Sequence, residues 1–504
     1  MALCIILLFP FLLRRQTVRI DLEFSIIAIL VISISFFSLF FARVPGVSLV
    51  RLGELAIVLF SYLGIFGLTE DAKAERYIFW GVWTSGLIVA ILSILQSLEL
   101  IPVMFPPFSH YKQVYSVMGN QVLVGGYLAM CALWVLDRYK GLNIDYLWVG
   151  LFLIASVLGL FVTRSRSAWI SFLIPFFINN GRNIKKFAFG KETLFSLLLV
   201  MGGVIVFFPL IYNRMVYSFT SKDVGFWIRF WIYDGTVRML IDRFPLGVGF
   251  GNFYYWSPLY LGISARSNEK FLQHCNEILT LHAHCDILEF LVELGFLGIF
   301  VVLIFFFWWF INGRVNLVWI CYLILSLFNT MMVSVPHLYL ALLSLMKRDE
   351  SSLIIKVDSS NKRLFIIAYS VLFVFIVIYL TIILWVPDYR LRQAEKKLLL
   401  KVDCVEEYEK VVSNVLAPSG VYEGLASAYI LRGDIKRAYD LLLESLRYLN
   451  SGSIYVLLGR CAYQLGREKD AIRWYREALI RFPKNQEAIS FLDKFDNLEN
   501  SFNF

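Results

Sequence analysis

This chain is short of charge. Of its 504 residues only 17% are Asp, Glu, Lys or Arg, against 59% hydrophobic and 17% aromatic, and the mean hydropathy is +0.69. So few charges exclude an ordinary soluble enzyme and a disordered chain alike. Cysteine is also scarce and unpatterned. Cys4, Cys131, Cys275, Cys285, Cys321, Cys404 and Cys461 are odd in number and match no disulfide-scaffold spacing, and three of them fall in apolar runs, so no disulfide framework is expected. A continuous basic face is missing too. The formal net charge of +9 comes from Lys and Arg scattered through short links between apolar runs, which argues against a nucleic-acid partner. Met1 to Leu13 is apolar and precedes Arg14 and Arg15, the reverse of a secretory signal, and no small-residue cleavage site follows. That segment reads as a short first membrane span. No Gly-Lys-Ser/Thr follows the glycines of 245–253, and no GxSxG elbow, HExxH or Asp-rich metal box is found.

What the chain does have is long apolar runs. A bilayer core of roughly 30 Å needs about 20 apolar residues in a helix. Runs of that kind lie at 22–41, 77–97, 193–212, 286–310 and 364–386, with shorter or weaker ones at 54–69, 120–136, 146–162, 167–179, 315–332 and 336–346. Ten to twelve transmembrane helices are expected, in an all-α polytopic bundle. Phe307, Trp308, Trp309 and Phe310 close one run with side chains that favour the interface. Arg14, Arg15, Arg19, Lys73, Arg76, Arg138, Lys140, Arg182, Lys185, Lys186 and Lys191 all fall on one side of the alternation, which the positive-inside rule makes cytoplasmic. The opposite side receives 42–53, 98–119, 163–167 and the long segment 213–285. This last is too long for a simple link and is expected to fold as a partly helical extracytoplasmic lid. After the basic loop 347–363 and a last span, the C-terminus falls on the outer side.

From Asp388 onward the composition becomes mixed-charge with helical periodicity. Tyr422, Leu425, Ala426, Gly433, Ala438, Leu442 and Ser445 align at a spacing of 33 with Tyr455, Leu458, Gly459, Gly466, Ala471, Tyr475 and Ala478, and Pro483 closes the second copy. This resembles a tetratricopeptide repeat, in which small residues let two helices approach and large ones fill the seam. An ordinary amphipathic bundle does not need the fixed offset. Residues 391–416 read as a degenerate earlier repeat and 486–497 as a capping helix. The expected division is 1–387 as the membrane domain, including the 213–285 loop, and 388–504 as the repeat domain.

Polar chemistry gathers on the outer side. Segment 213–285 holds Arg214, Arg229, Arg238, Arg243, the turn Pro245 to Phe253, and the cluster His274, Cys275, His282, His284 and Cys285, while His110 lies in another outer loop. A neutral imidazole at His284, at the mouth of an apolar helix, could take a proton from a hydroxyl at ambient pH. On residue chemistry alone, an interfacial histidine capping the helix that begins near Asp286 explains it better. Zinc is the other alternative, although the cluster's spacing matches no closed four-ligand pattern. Arg164 and Arg166 occupy a five-residue link against the membrane, and Arg229 lies among aromatics in Phe226 to Tyr233. Guanidinium forks there suit a phosphate-bearing lipid, and headgroup contact or a structural ion pair is the alternative for each. The alternating Gly247, Gly249 and Gly251 read as backbone geometry.

Four stretches, in order, resemble the O-antigen ligase and polymerase superfamily of GT-C-type membrane glycosyltransferases. Met118-Gly-Asn-Gln-Val-Leu-Val-Gly-Gly-Tyr-Leu is similar to the Gly-Asn start of a middle helix. Thr163-Arg-Ser-Arg-Ser-Ala-Trp169 is similar to the Ser-Arg-Gly/Ser-Ala element and sets Arg166 on the family arginine. Arg229 with Tyr233, then Pro245-Leu-Gly-Val-Gly-Phe-Gly-Asn-Phe, resembles Arg-x-x-x-Trp and Pro-x-x-Gly-Val-Gly. His284-Cys-Asp-Ile-Leu-Glu-Phe-Leu-Val-Glu-Leu-Gly295 resembles His-Asn-x-x-Leu followed by Glu-x-Gly. Cys285 stands where Asn is usual, Tyr233 where Trp is usual, and one extra residue separates Met239 from Pro245.

The resemblance implies transfer of a glycan from an undecaprenyl-type polyprenyl-diphosphate donor to an acceptor at the outer face of the cytoplasmic membrane. His284 would position or deprotonate the acceptor nucleophile. Arg229 and Arg166, helped by Arg164, would stabilise the departing diphosphate. No cofactor or metal is implied. The acceptor would be a lipid, a protein or a polysaccharide, membrane lipids would surround the bundle, and the repeat domain would recruit a protein partner or an acceptor. A polymerase of repeat units is the alternative within the superfamily. A lipid-linked glycan flippase or a membrane scaffold are the alternatives outside it, and a transporter would set charged groups facing one another near the midplane.

Overall fold

A computed structural model describes residues 17–66, 72–101, 116, 118, 120–185, 224–275, 280–311, 316–332, 334–345, 353–356, 371, 386–412 and 420–501. The segment 1–13, the spans at 193–212 and 364–386, most of the basic loop 347–363, and His110 and Arg214 lie outside the described residues.

The membrane part is helical: α1 (Leu22–Phe37), α2 (Pro45–Phe66), α3 (Ala72–Ser97), α4 (Gln121–Arg138), α5 (Tyr146–Val162), α6 (Arg166–Lys185), α7 (Val224–Arg243), α8 (Phe253–Ser267), α9 (Glu269–His274), α10 (Asp286–Ile311), α11 (Leu317–Phe328) and α12 (Val335–Ser344). Side-chain oxygens start several of them. Asp21, Asn120, Asp145 and Asn316 each accept a backbone N–H of the first turn, for α1, α4, α5 and α11. Among the described residues three stretches are long and apolar enough to cross a membrane, Leu22–Phe41, Glu75–Ser97 and Asp286–Ile311. Tyr146–Val162, Arg166–Ile178 and Leu317–Phe328 are apolar but shorter.

Helix α4 is the axis of the bundle, touched by α3, α5, α6, α11 and α12. Every side chain from Leu128 to Val135 on it is buried. Glycine makes the close crossings possible: a Cβ on Gly159 of α5 would lie 2.8 Å from Leu128 Cδ1 and 3.1 Å from the Ala90 backbone. The outer faces are as apolar as the inner ones. On α5, Leu147, Leu151, Ile154 and Leu158 are exposed at helical spacing, and on α10 so are Phe296, Phe300, Leu303, Phe307 and Phe310. Such stripes, apolar on the side turned away from the core, are faces for lipid.

Two features differ from the expected pattern. Among the described residues the fold is all-α apart from a ribbon of two four-residue strands, β1 (Thr17–Ile20) and β2 (Leu353–Lys356), paired antiparallel with Thr17 opposite Lys356. Both strands are rich in β-branched residues, and both belong to segments that the charge pattern assigned to one side. The loop expected at 42–53 is helical from Pro45 onward, which turns Arg51 from a loop residue into a helix residue one turn before Glu54, the first residue of the expected span 54–69.

Polar contacts collect at the two ends of the bundle. At one end Arg138 pairs with Glu75, Arg76 donates to the Leu142 carbonyl, and Trp308 Nε1 donates to Glu23. At the other end lie the 163–167 link, the start of α2, the turn 329–332 and the 224–285 segment.

From Val386 the chain forms paired helices: α13 (Val386–Leu399) with α14 (Val405–Val412), α15 (Gly420–Arg432) with α16 (Ile435–Ser445), α17 (Gly452–Gln464) with α18 (Glu468–Arg481), then α19 (Gln486–Ser501). The aligned positions do equivalent work. Leu425 and Leu458, Ala438 and Ala471, and Ser445 and Ala478 are all buried, and a Cβ on Gly459 would lie 2.8 Å from the Tyr475 ring. Gly433 and Gly466 both turn the chain at positive φ. This unit rests on α8. Tyr254 and Tyr255 donate their hydroxyls to the carbonyls of Tyr448 and Leu446, at 3.1 and 3.0 Å, and Arg266 donates to the Leu479 carbonyl.

Candidate functional site

The site is built around the start of α10. Its backbone N–H groups need acceptors, and the residue at the cap position is Cys285, whose sulfur lies against the N–H groups of Ile287 and Leu288. Asp286 in the first turn uses one carboxylate oxygen, Oδ2, to accept the N–H groups of Met331 and Met332 at 3.0 and 2.9 Å, which binds the 329–332 turn to the helix. Glu289, one turn on, accepts the Ala283 N–H with Oε2 at 2.7 Å and bonds His282 Nδ1 with Oε1 at 2.9 Å. The other nitrogen of His282 faces Arg51 Nη2 at 3.2 Å. Guanidinium can only donate, so Nε2 accepts and Nδ1 carries the hydrogen given to Glu289.

These bonds clamp the turn that carries His284. Its backbone has φ +54°, a left-handed conformation uncommon outside glycine. Tyr233 Oη spans the His284 and Leu327 carbonyls, at 3.1 Å from each. Left-handed strain persists only where the surroundings over-determine it, and here Glu289 holds the residue before His284 while Tyr233 holds its carbonyl. Crowding by surrounding protein, reinforced by the nearby Arg229 guanidinium and by His282, lowers the His284 pKa to about 4, with Glu289 pulling the other way. His284 is nevertheless an exposed residue at the end of the bundle, and solvent there weakens each influence. The imidazole is therefore neutral at ambient pH. Burial raises the Tyr233 pKa to about 12, with Cys285 adding to it and Arg229 opposing it.

Arg229, half-buried on α7, lies within electrostatic reach of His284, and Tyr233, one turn further along the same helix, bonds the His284 carbonyl. Arg166 is the first residue of α6 and half-buried. Its neighbour Ser167 accepts from Asn329 Nδ2 at 3.0 Å, two residues from the Leu327 carbonyl that Tyr233 also reaches. The start of α6 is therefore tied to the His284 turn through the 327–329 segment. Arg164 is exposed, at φ +52° in the same link. Among the described residues no three His, Cys, Asp or Glu side chains are gathered as a metal site. Cys275 is a buried free thiol whose pKa burial pushes up to about 11.

The glycine turn has a structural task. Helix α10 is broken at Gly295, φ +58° and ψ −134°, which frees carbonyls on its inner side. Val248 and Gly249 donate to the carbonyls of Val292 and Glu293, and Phe296 donates to that of Pro245. A Cβ on Gly249 would lie 2.6 Å from Ala42 Cα, and one on Gly295 2.1 Å from the Pro245 carbonyl. The turn also delivers the Phe253 N–H to Glu293 Oε1 at 3.3 Å.

A small cleft open on one side is lined by Arg51, Glu54, Asp286, Glu289, Glu293 and Thr330 among others. The resemblance includes Glu289 and Glu293 in a signature without giving them a role, while Arg51 falls in an expected loop and Glu54 opens an expected span. Their signal was present: Asp286, Glu289 and Glu293 recur at i, i+3 and i+7, so they share one face of a span that carries no other charge.

Residues 151–303 match the family described as O-Antigen ligase, and residues 452–485 match Tetratricopeptide repeat. No curated protein matches the chain. The first stretch runs from α5 into α10 and contains Arg164, Arg166, Arg229 and His284. The second covers α17, α18 and the turn that closes them. The chain is thus a membrane protein with an O-antigen ligase-type domain, as in the ligase and polymerase class of membrane glycosyltransferases, followed by a tetratricopeptide repeat.

Proposed function

We propose that the protein transfers a glycan from an undecaprenyl-type polyprenyl-diphosphate donor to an acceptor at the outer face of the cytoplasmic membrane. The observation that supports this reading is a backbone turn carrying His284 that is fixed by Tyr233 of α7 and by Glu289, within electrostatic reach of Arg229 on the same α7, with the start of α6 and its Arg166 tied to the same turn. A neutral imidazole can accept the proton of an attacking hydroxyl. Guanidinium groups placed where diphosphate charge develops stabilise the leaving group without a metal. Arg164, at the surface of the same link, would meet the lipid headgroup region. Residues 1–387 would form the transferase and 388–504 a repeat unit on the same side as the lid, placed to hold an acceptor or a partner protein.

The test is transfer by the purified full chain from undecaprenyl-diphosphate glycan to candidate acceptors. His284→Ala and Arg229→Ala should each lower the rate by about a hundredfold or more, with the protein still folded. Chelators should leave the rate unchanged. Full activity in both variants would refute the assignment.

A further inference from the structure

We propose that α7, the first described helix of the lid, is not turned to water but lies at the membrane boundary with one face against the acyl chains of the bilayer. This goes beyond the transferase reading and does not depend on it. Phe226, Phe230, Tyr233, Val237, Ile241 and Phe244 follow one another along α7 at intervals of three and four, so they form a single stripe. Phe230, Val237, Ile241 and Phe244 are exposed, Ile241 by 72%. The side facing away from the stripe is already filled, with Trp231, Ile232, Thr236 and Met239 buried.

A helix in water hides its apolar stripe and exposes its charges. Helix α7 does the reverse. From Asp234 onward every charge on it is bonded to α8: Asp234 accepts from Ser264 Oγ at 2.6 Å and from Arg238 Nε at 2.7 Å, and Arg238 reaches Ser267 Oγ at 3.0 Å. Asp242 accepts the Tyr260 hydroxyl, whose oxygen accepts in turn from Arg243 Nε at 3.1 Å, and the Arg243 guanidinium lies 3.7 Å from the centroid of the Trp256 ring. The charges are thus used up on the lid side, and nothing among the described residues covers the apolar side. Continuity with the membrane helices identifies its cover. The Phe296 N–H donates to the Pro245 carbonyl at 2.8 Å, which sets exposed Phe244 and Leu246 beside Phe296, the first residue of the lipid face of α10. Tyr233 Oη donates to the Leu327 carbonyl at 3.1 Å, where Leu327 and Phe328 are exposed at the end of α11. The medium that meets Phe296 and Phe300 therefore meets Ile241 and Phe244 as well. A helix with a polar face on protein and an apolar face outward, joined at two points to apolar spans, has the form of one seated in the headgroup and acyl boundary. Arg229, between Phe226 and Phe230 in sequence, is then held at the depth of the lipid phosphates.

The test uses the full chain in phosphatidylethanolamine and phosphatidylglycerol vesicles. It is labelled in separate runs with a lipid-soluble trifluoromethyl phenyl diazirine, whose carbene inserts into neighbouring bonds, and with hydroxyl radicals generated in the water. The modified residues are mapped by mass spectrometry. Phe230, Val237, Ile241 and Phe244 should take up carbene within a few-fold of Phe300 and Leu303 on α10. They should be oxidised several-fold less than Tyr463, an exposed aromatic of the repeat unit. Oxidation of Phe230 and Phe244 as heavy as that of Tyr463 overturns the proposal in favour of an aqueous lid. Labelling by neither reagent overturns it in favour of a protein cover, a second copy of the chain included. Catalysis enters neither measurement, so loss or retention of transfer in Arg229→Ala bears on the transferase reading alone.

Discussion

At the scale of single residues the decisive group is Glu289, which holds both His282 and the Ala283 N–H. Glu289→Ala removes both acceptors and should lower transfer by up to about a hundredfold through misplacement of His284, while Glu289→Gln keeps an oxygen and should retain more. The comparison of kcat in the two variants decides it. A second expectation concerns pH. His284 is neutral in the free protein above about pH 4, so kcat/KM should fall only as the pH drops through that value. A diphosphate bound at Arg229 cancels part of the positive charge that depresses the imidazole, so the acid limb of kcat should lie at higher pH than that of kcat/KM. The folded pKa lies below the unfolded value, so the unfolded chain binds the proton first. This contribution to stability is present above about pH 6.5 and is lost as the pH falls toward 4. Cys285 offers a third. A thiol is a poor acceptor for the first N–H groups of α10, and Cys285→Asn should stabilise the fold by about 1 kcal/mol, read as a rise in the thermal midpoint. His284 and Arg229 stand out in the sequence because histidine and arginine are conspicuous beside apolar runs. Arg51 does not, because its partner His282 lies 231 positions away and nothing local in Leu52-Gly53-Glu54 announces the pairing.

At the scale of elements, the link between the glycine turn and α10 explains two motifs at once. The turn needs positive φ to present Val248 and Gly249, and the helix needs its break at Gly295 to free the carbonyls they reach. Gly249→Val should therefore be destabilising by more than the usual 1–3 kcal/mol of an overpacked site, because the atoms it meets are the Ala42 backbone; thermal unfolding would show it. From sequence, the glycines could be recognised as backbone geometry, but their partner could not, since a kink inside an unbroken apolar run leaves no compositional trace apart from the glycine itself. The opposite case is the start of α2. Val44 to Gly53 reads as a loop because the apolar run starts later, yet Pro45 opens a helix there, Ser48 accepts from Asn252, and the Asn252 side chain accepts the Val44 N–H. Tertiary contacts with the lid extend the helix beyond what its own hydropathy indicates.

At the scale of the whole molecule, the repeat unit and the lid are packed as one surface. A Cβ on Gly262 of α8 would lie 1.9 Å from the Ile480 carbonyl. Gly262→Val should prise the two apart, so that the membrane part and the repeat unit unfold at more widely separated temperatures in the variant than in the intact chain. The 33-residue offset made the repeat readable because equivalent positions recur. Its docking face was not readable, because Tyr254 and Tyr255 belong to a segment whose sequence carries no sign of what covers it.

The root of the lid has a consequence for how substrates arrive. Three backbone hydrogen bonds join the 245–249 turn to the broken part of α10, and swinging the lid about that root would sacrifice all of them, at roughly 1 kcal/mol apiece. The segment is therefore a fixed roof and not a door. On the proposed transferase reading, a lipid-tailed donor would then have to slide in sideways from the bilayer, between helices, and not from above.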